Sequence, residues 1–328
     1  MPVFKGGECT KPRKLFFACR TQFRAKFFRF MDVKIKTWPS PAWGCLVWMV
    51  AAIVAGSAAA GADRVVSDIS AEFNVPQTFH VDGDRWTHED AHGRFQGILL
   101  KPQGQGPFPA VIVSHGLGGS AGSFGLTKAR EFVQWGMVAI APDYTHSAAE
   151  LQGRRGPGHP AAKGFGASAE NLRRARICVA LLRRMPEVAA SRIFAYGHSM
   201  GGFVTIALAA HEPLAAAAIT GSGIAPRTGF PAPDPETASR IRVPFLIIHG
   251  ARDTTVRPEQ SEALAQLLAQ HKVPCRRIVI PDAGHDVDRT HATEVLAAIR
   301  EWFASHDPAT VTNQPSPSTP RGQINQTR

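Results

Sequence analysis

Three residues far apart in the chain, Ser199, Asp253 and His285, have the types and settings of a nucleophile, an acid and a base that work together. Ser199 is the centre of Gly197-His198-Ser199-Met200-Gly201, a G-x-S-x-G pattern between the apolar run RIFAYG and a stretch suited to a helix. The pattern fits a serine on a sharp, strained strand-to-helix turn, where the residues two before and two after it must lack bulk. Asp253 follows the run VPFLIIHG within HGARDTTV, and His285 follows RIVIP within PDAGH. A serine hydroxyl is a weak nucleophile until a base takes its proton. A neutral imidazole can do so, and a carboxylate can orient the ring and stabilise its cation. Ser199 and Asp253 stand 54 residues apart and Asp253 and His285 stand 32 apart, which leaves room for intervening strands and helices. A fourth segment, Ser114-His115-Gly116-Leu117-Gly118-Gly119, follows the run PAVIVS. Its glycines let the backbone N–H of Leu117 approach an oxyanion beside the N–H of Met200.

Such a set needs a scaffold that brings several strand ends to one edge. From about residue 75, apolar runs alternate with amphipathic stretches. Strands are expected at 93–102, 109–114, 137–141, 192–197, 215–220, 243–249 and 277–280. Helices are expected at 127–135, at 200–210, from Pro258, at 290–304, and from a Ser168 cap to about Arg184. Continuous apolar strands alternating with helices predict an α/β fold, a mostly parallel sheet with helices on both faces. Each candidate lies just past a strand's carboxyl end, where ligands bind in open sheets. Two long connections, 144–167 and 222–240, also follow strand ends, and neither is long enough for a large lid domain.

The segments GHSMGG, HGLGG, HGARD and GH resemble those of the α/β-hydrolase superfamily, and the compact layout is similar to dienelactone-hydrolase-like serine esterases. The resemblance spans about residues 75–305. It implies an α/β-hydrolase fold, in which the triad order is Ser, Asp, His, with Ser199, Asp253 and His285 catalytic and with Leu117 and Met200 as oxyanion donors. It implies cleavage of a carboxylic ester or related acyl bond through an acyl-enzyme, with no cofactor and no metal. Dienelactone hydrolases proper use a cysteine nucleophile, whereas Ser199 stands here. GHSMGG also resembles bacterial cutinase-like polyesterases, so the substrate expected is a small-molecule or polymeric ester.

Blander roles compete for each residue. Ser199 could be an ordinary turn serine, Asp253 a helix cap and His285 a surface histidine, but the complete set favours chemistry. His115 is expected to hold the Gly-rich loop, His198 to line the pocket and His249 to pack at a strand end. His146, His159, His211, His271, His291 and His306 are expected to be solvated. Asp282 is a poorer acid than Asp253 because it shares the short connection of His285. Two alternatives keep the triad and change the reaction, an acyltransferase and a peptidase. A third, an oxidoreductase, rests on Gly116-Leu117-Gly118-Gly119-Ser120-Ala121, which imitates a dinucleotide fingerprint with Asp143 ending the next strand. It is disfavoured because the helical pattern starts only near Thr127, so a pyrophosphate would lack a helix N-terminus.

The net charge is +11, yet residues 1–62 hold ten Lys/Arg and two Asp/Glu, so the body is nearly balanced and a nucleic-acid partner is not expected. Lys34 and Lys36, the apolar run 42–55 and Ala60-Gly61-Ala62 read as a signal peptide over 31–62, hence an exported protein; the alternative is an N-terminal membrane anchor. Residues 1–30 form a basic extension that translation from Met31 would remove, with an organellar presequence as the other reading. The catalytic domain is expected over 63–306, and a Pro/Ser/Thr/Gln-rich disordered tail over 307–328. Of five cysteines, only Cys178 and Cys275 lie in the body, and they are expected to be free buried thiols.

Overall fold

The computed structural model describes residues 79–152, 164–225 and 231–311. The leader, with its signal-peptide reading, and residues 312–328 lie outside them, as does His159. Among the described residues nine strands form one sheet: β1 (Phe79–Asp82), β2 (Arg85–Asp90), β3 (Gly93–Leu100), β4 (Phe108–Ser114), β5 (Val138–Pro142), β6 (Val188–His198), β7 (Ala216–Thr220), β8 (Phe245–Gly250) and β9 (Cys275–Ile280). Their spatial order is β1-β2-β3-β5-β4-β6-β7-β8-β9. The first three strands and the β3–β5 pairing are antiparallel, and every pairing from β5 to β9 is parallel.

The parallel strands read as unbroken apolar runs because both faces are covered. Side chains alternate across the sheet. On β4, Ala110 and Ile112 join a core with Ile140, Ile219 and Ile247, whereas Val111 and Val113 join another with Ala139, Phe194, Leu246 and Ile248. Five main helices close these layers: α1 (Leu126–Gln134), α2 (Ala169–Arg184), α3 (Met200–Ala209), α4 (Pro258–Gln270) and α5 (Ala292–Ser305). The first core takes Ile177 and Leu182 of α2, Val204 and Ile206 of α3, and Leu264 and Leu268 of α4. The second takes Ala129 and Phe132 of α1 and Val295 and Ile299 of α5. Helix α3 is buried from Gly201 to Ala209, which is why it is apolar all round. Helix α2 begins as its sequence dictates, with the Ser168 hydroxyl accepting from Asn171 N–H at 3.3 Å.

Several expectations need correcting. The antiparallel strands β1 and β2 were not expected, because RWTHED buries only Trp86 and His88 and reads as polar. The helix expected from Thr127 starts earlier: Ser120 caps a π-helical turn, Ala121–Gly125, that runs straight into α1. At the start of the expected tail, Pro308–Val311 is helical and Asp307 pairs with Arg192 at 2.6 Å. Both body cysteines are free, with Cys178 buried and Cys275 half-buried. Among the described residues no helix is long and apolar enough to cross a membrane.

Candidate active site

Strand β6 ends at His198 and α3 begins at Met200, so Ser199 alone makes the turn, with φ 54° and ψ −120°. This is a region non-glycine residues rarely occupy. The turn is held at both ends, as Ser199 N–H donates to Thr220 O at 3.0 Å and the Ser222 hydroxyl donates to Ser199 O at 3.0 Å. Both flanking glycines are required by close approach. A Cβ on Gly197 would lie 2.3 Å from Gly201 O, and one on Gly201 would lie 2.1 Å from Ser114 O.

Asp253 and His285 come from the loops after β8 and β9, and the backbone ties these loops together. Ala251 N–H donates to Ile280 O and Arg252 N–H donates to Ala283 O, each at 2.9 Å. The resulting geometry joins all three candidates. His285 Nδ1 lies 2.8 Å from Asp253 Oδ2, and His285 Nε2 lies 2.8 Å from Ser199 Oγ. An ionised carboxylate only accepts, so Nδ1 carries the proton and Nε2 is left to accept from the serine hydroxyl. Asp253 Oδ1 accepts from the N–H groups of Thr255 and Val256 at 2.8 and 2.9 Å. Burial pushes the Asp253 carboxyl upward. Hydrogen bonds from His249, His285 and Val256 outweigh burial and hold the group well below the usual carboxylate range. The arrangement can pass a proton from Ser199 to His285 while Asp253 stays charged.

Ser199 opens into a cleft of about 360 Å³. Among its lining residues are Leu117, Met200, Phe203, Val256 and Gln260. Leu117 is 54% exposed at its mouth. Gly118 N–H is taken by His146 O at 2.9 Å and Gly119 N–H by Gly116 O at 3.1 Å. Among the described residues no protein acceptor takes the N–H of Leu117 or of Met200, and both residues line the cleft at the serine.

Other polar residues fix this site. His115 is buried and holds the Gly-rich loop, as expected. Its Nδ1 donates to Gly116 O at 2.9 Å and its Nε2 accepts from Tyr144 N–H at 3.1 Å. His146 is a correction: it is buried, not solvated, because the start of the 144–167 connection folds back under the loop. Its Nε2 donates to His115 O at 3.0 Å, and its Nδ1 meets Asn171 Nδ2 at 3.2 Å. Burial pushes His115 down to about 4 and His146 down to about 3. His198 lines the cleft, with Nδ1 3.1 Å from Thr220 Oγ1 and 3.4 Å from Asp288 Oδ1. Behind it Lys128 donates to Asp288 O at 3.0 Å. Asp282, the weaker acid candidate, is exposed and faces His291 at 3.4 Å. The dinucleotide reading fails for a different reason from the one expected. A helical turn does follow the glycines, but Asp143 Oδ1 already accepts its first N–H, from Ala121, at 2.7 Å. A carboxylate occupies the place a pyrophosphate needs.

Sequence reasoning missed Ser222, Asn171 and the contact of His249 with Asp253. Their roles depend on contacts across loops, and only the four-residue spacing of His249 and Asp253 in HGARD hinted at one of them.

Residues 95–306 match the family profile described as Dienelactone hydrolase family. A Salmonella typhimurium protein provisionally named carboxymethylenebutenolidase is 28% identical over 128 residues, covering 36% of this chain and 47% of that protein. The match thus spans about half the length of the three curated relatives given that name. Among solved structures, a Klebsiella pneumoniae protein provisionally named dienelactone hydrolase superposes with a TM-score of 0.56 at 22% identity. It covers 64% of this chain and 93% of that one. Pyrococcus horikoshii acylaminoacyl peptidase superposes with a TM-score of 0.57 at 16% identity, covering 72% and 43%. At these identities the structural likeness concerns the fold.

Proposed function

Because the chain belongs to the dienelactone hydrolase family, we propose that it is a serine-dependent hydrolase of carboxylic esters that works through Ser199, His285 and Asp253. The observation that carries this reading is the unbroken run from Ser199 Oγ to His285 and on to Asp253, 2.8 Å at each step. His285 takes the hydroxyl proton as Ser199 Oγ attacks the acyl carbonyl, and Asp253 stabilises the imidazolium that forms. The N–H groups of Leu117 and Met200 receive the oxyanion; losing one such donor typically costs about 3–4 kcal/mol in the barrier. The imidazolium then protonates the leaving alcohol, and water releases the acyl group by the same steps reversed.

A cleft of about 360 Å³ with apolar walls and an exposed Leu117 at its rim suits a short acyl chain or an ester presented at a surface. We also propose a location outside the cytoplasm, supported by the basic and apolar leader at residues 31–62. A panel of p-nitrophenyl esters from acetate to palmitate, with aminoacyl p-nitroanilides beside it, tests the assignment. Ester turnover favouring short chains and abolished in Ser199→Ala is expected. Turnover surviving that substitution overturns the role of Ser199, and anilide cleavage without ester cleavage makes the protein a peptidase.

A further inference from the structure

His249 is the last residue but one of β8, is fully buried, and is not part of the nucleophile–base–acid run. Its Nε2 lies 3.1 Å from Asp253 Oδ2 and 2.9 Å from Val256 O. Both of these atoms can only accept, so Nε2 must carry the ring proton and share it between them. The other nitrogen, Nδ1, is buried and has no hydrogen-bond partner among the described residues. The ring is thereby fixed in one tautomer. A proton on Nδ1 would face a buried setting with nothing to receive it.

Asp253 consequently receives four donors. Oδ1 takes the two backbone N–H groups of its own loop, and Oδ2 takes one imidazole from each side, His249 and His285. Were Oδ2 to face His285 alone, more of the carboxylate's charge would bear on the base, and the imidazolium would be held more tightly. A donor on the far side draws off part of that charge and fixes the direction in which Oδ2 points.

We infer that His249 is a positioning residue for the acid: it clamps Asp253 Oδ2 from behind and tempers its pull on His285, keeping His285 able to accept a proton on the acid side of the activity profile. The inference rests on the triad reading above. The remaining charged or titratable groups facing His285 are His198, whose ring centroid is 5.1 Å away, and Asp286 on its own loop, with Asp288 and Lys128 behind His198. These groups stay in place when only His249 is changed.

The test compares His249→Leu, which removes the donor, with His249→Gln, whose amide can donate from nearly the position of Nε2. In His249→Leu the acid limb of the kcat/KM profile for a short p-nitrophenyl ester is expected to move up by about half a pH unit or more, about a threefold loss on that side. In His249→Gln the limb is expected to stay at its wild-type position. A leucine variant whose limb stays put or moves down overturns the inference, as does a glutamine variant that follows the leucine one. Nitrogen-15 NMR of histidine-labelled wild type supplies a readout that needs neither turnover nor a folded leucine variant. The signal missing from His249→Gln identifies residue 249, which is expected to show a proton on Nε2 and none on Nδ1 throughout the acid limb. A proton found on Nδ1 overturns the inference. Because the spectrum does not depend on hydrolysis, its failure is distinct from a failure of the Ser199→Ala test.

Discussion

Two groups of imidazoles flank Ser199, and they are built for opposite purposes. On the β8–β9 side, His285 and His249 converge on a carboxylate held in its charged form. On the β4–β5 side, His115 and His146 bond to carbonyls, an amide and a backbone N–H, and burial holds both neutral. The rings have the same chemistry, and all but the half-buried His285 are sealed from solvent. Their hydrogen-bond partners differ: His285 and His249 share one carboxylate oxygen, whereas the bonds of His115 and His146 go to neutral groups, and these two rings serve as fixed brackets. In the proposed reaction the first group sets the proton path, and the second holds the Gly-rich loop that carries Leu117.

The same substitution made on both sides of Ser199 should have opposite consequences. His285→Gln is expected to lower kcat/KM by roughly 10⁴-fold or more while leaving unfolding free energy within about 1 kcal/mol. His115→Gln is expected to keep activity within about a hundredfold of wild type but to lose about 1–3 kcal/mol of stability. Ester kinetics paired with urea denaturation reads both numbers. An equal loss of activity on the two sides would erase the distinction.

Next in size is the pH dependence of folding. A histidine held neutral by burial binds no proton in the folded state, whereas the unfolded chain takes one up below its ordinary value of 6.5. Stability should therefore fall as pH is lowered from about 6.5 toward about 4, by about 3 kcal/mol from His115 alone. His146 and His198, also lowered by burial, act with the same sign. Asp253 has a depressed value, so its stabilisation is present above 3.8 and is lost only below that point. In the window above about 5 the fall therefore belongs to the buried histidines His115, His146 and His198, and the lowered carboxyls of Glu170 and Glu187 add to it only from about 4.5 downward. Urea titrations across that window, repeated on His115→Gln, are expected to show a shallower slope in the variant; an unchanged slope would remove His115 from this account.

The smallest effect concerns the turn between the two groups. Ser199 sits at φ 54°, which glycine adopts freely and serine does not. Ser199→Gly is expected to abolish turnover and yet raise unfolding free energy by up to about 1 kcal/mol, whereas Ser199→Ala abolishes turnover without that gain. Thermal melts of the two variants side by side decide it. Equal melting points would show that the turn carries no strain.

Much of this was legible from the chain alone, for identifiable reasons. The buried parallel strands announce themselves as apolar runs, and three of them are followed within a few residues by reactive side chains. The G-x-S-x-G glycines signal a turn so crowded that no other residue fits. The parts that stayed hidden are those where burial comes from loops. His146 sits in a connection that reads as polar, yet its ring is sealed under the Gly-rich loop. His249 ends an apolar strand, so packing was a sufficient account of it until its contact with Asp253 was seen. Strand β2 escaped notice because an antiparallel strand near the sheet margin buries only two of its residues.

The two backbone bonds that bind the β8 loop to the β9 loop have a consequence for how the chain can change length. Helix α4 and the turn after it supply most of the 32 residues between Asp253 and His285, but the distance between those side chains is not measured along that path. It is set where Ala251 and Arg252 meet Ile280 and Ala283. Residues added or removed at the exposed His271–Lys272 corner would be absorbed outside the pair, so this stretch is open to grafts and new termini. A single bulky replacement at Gly250 would do more damage than a whole inserted peptide, because an added Cβ there would lie 2.3 Å from Gly284 O and wedge the two loops apart.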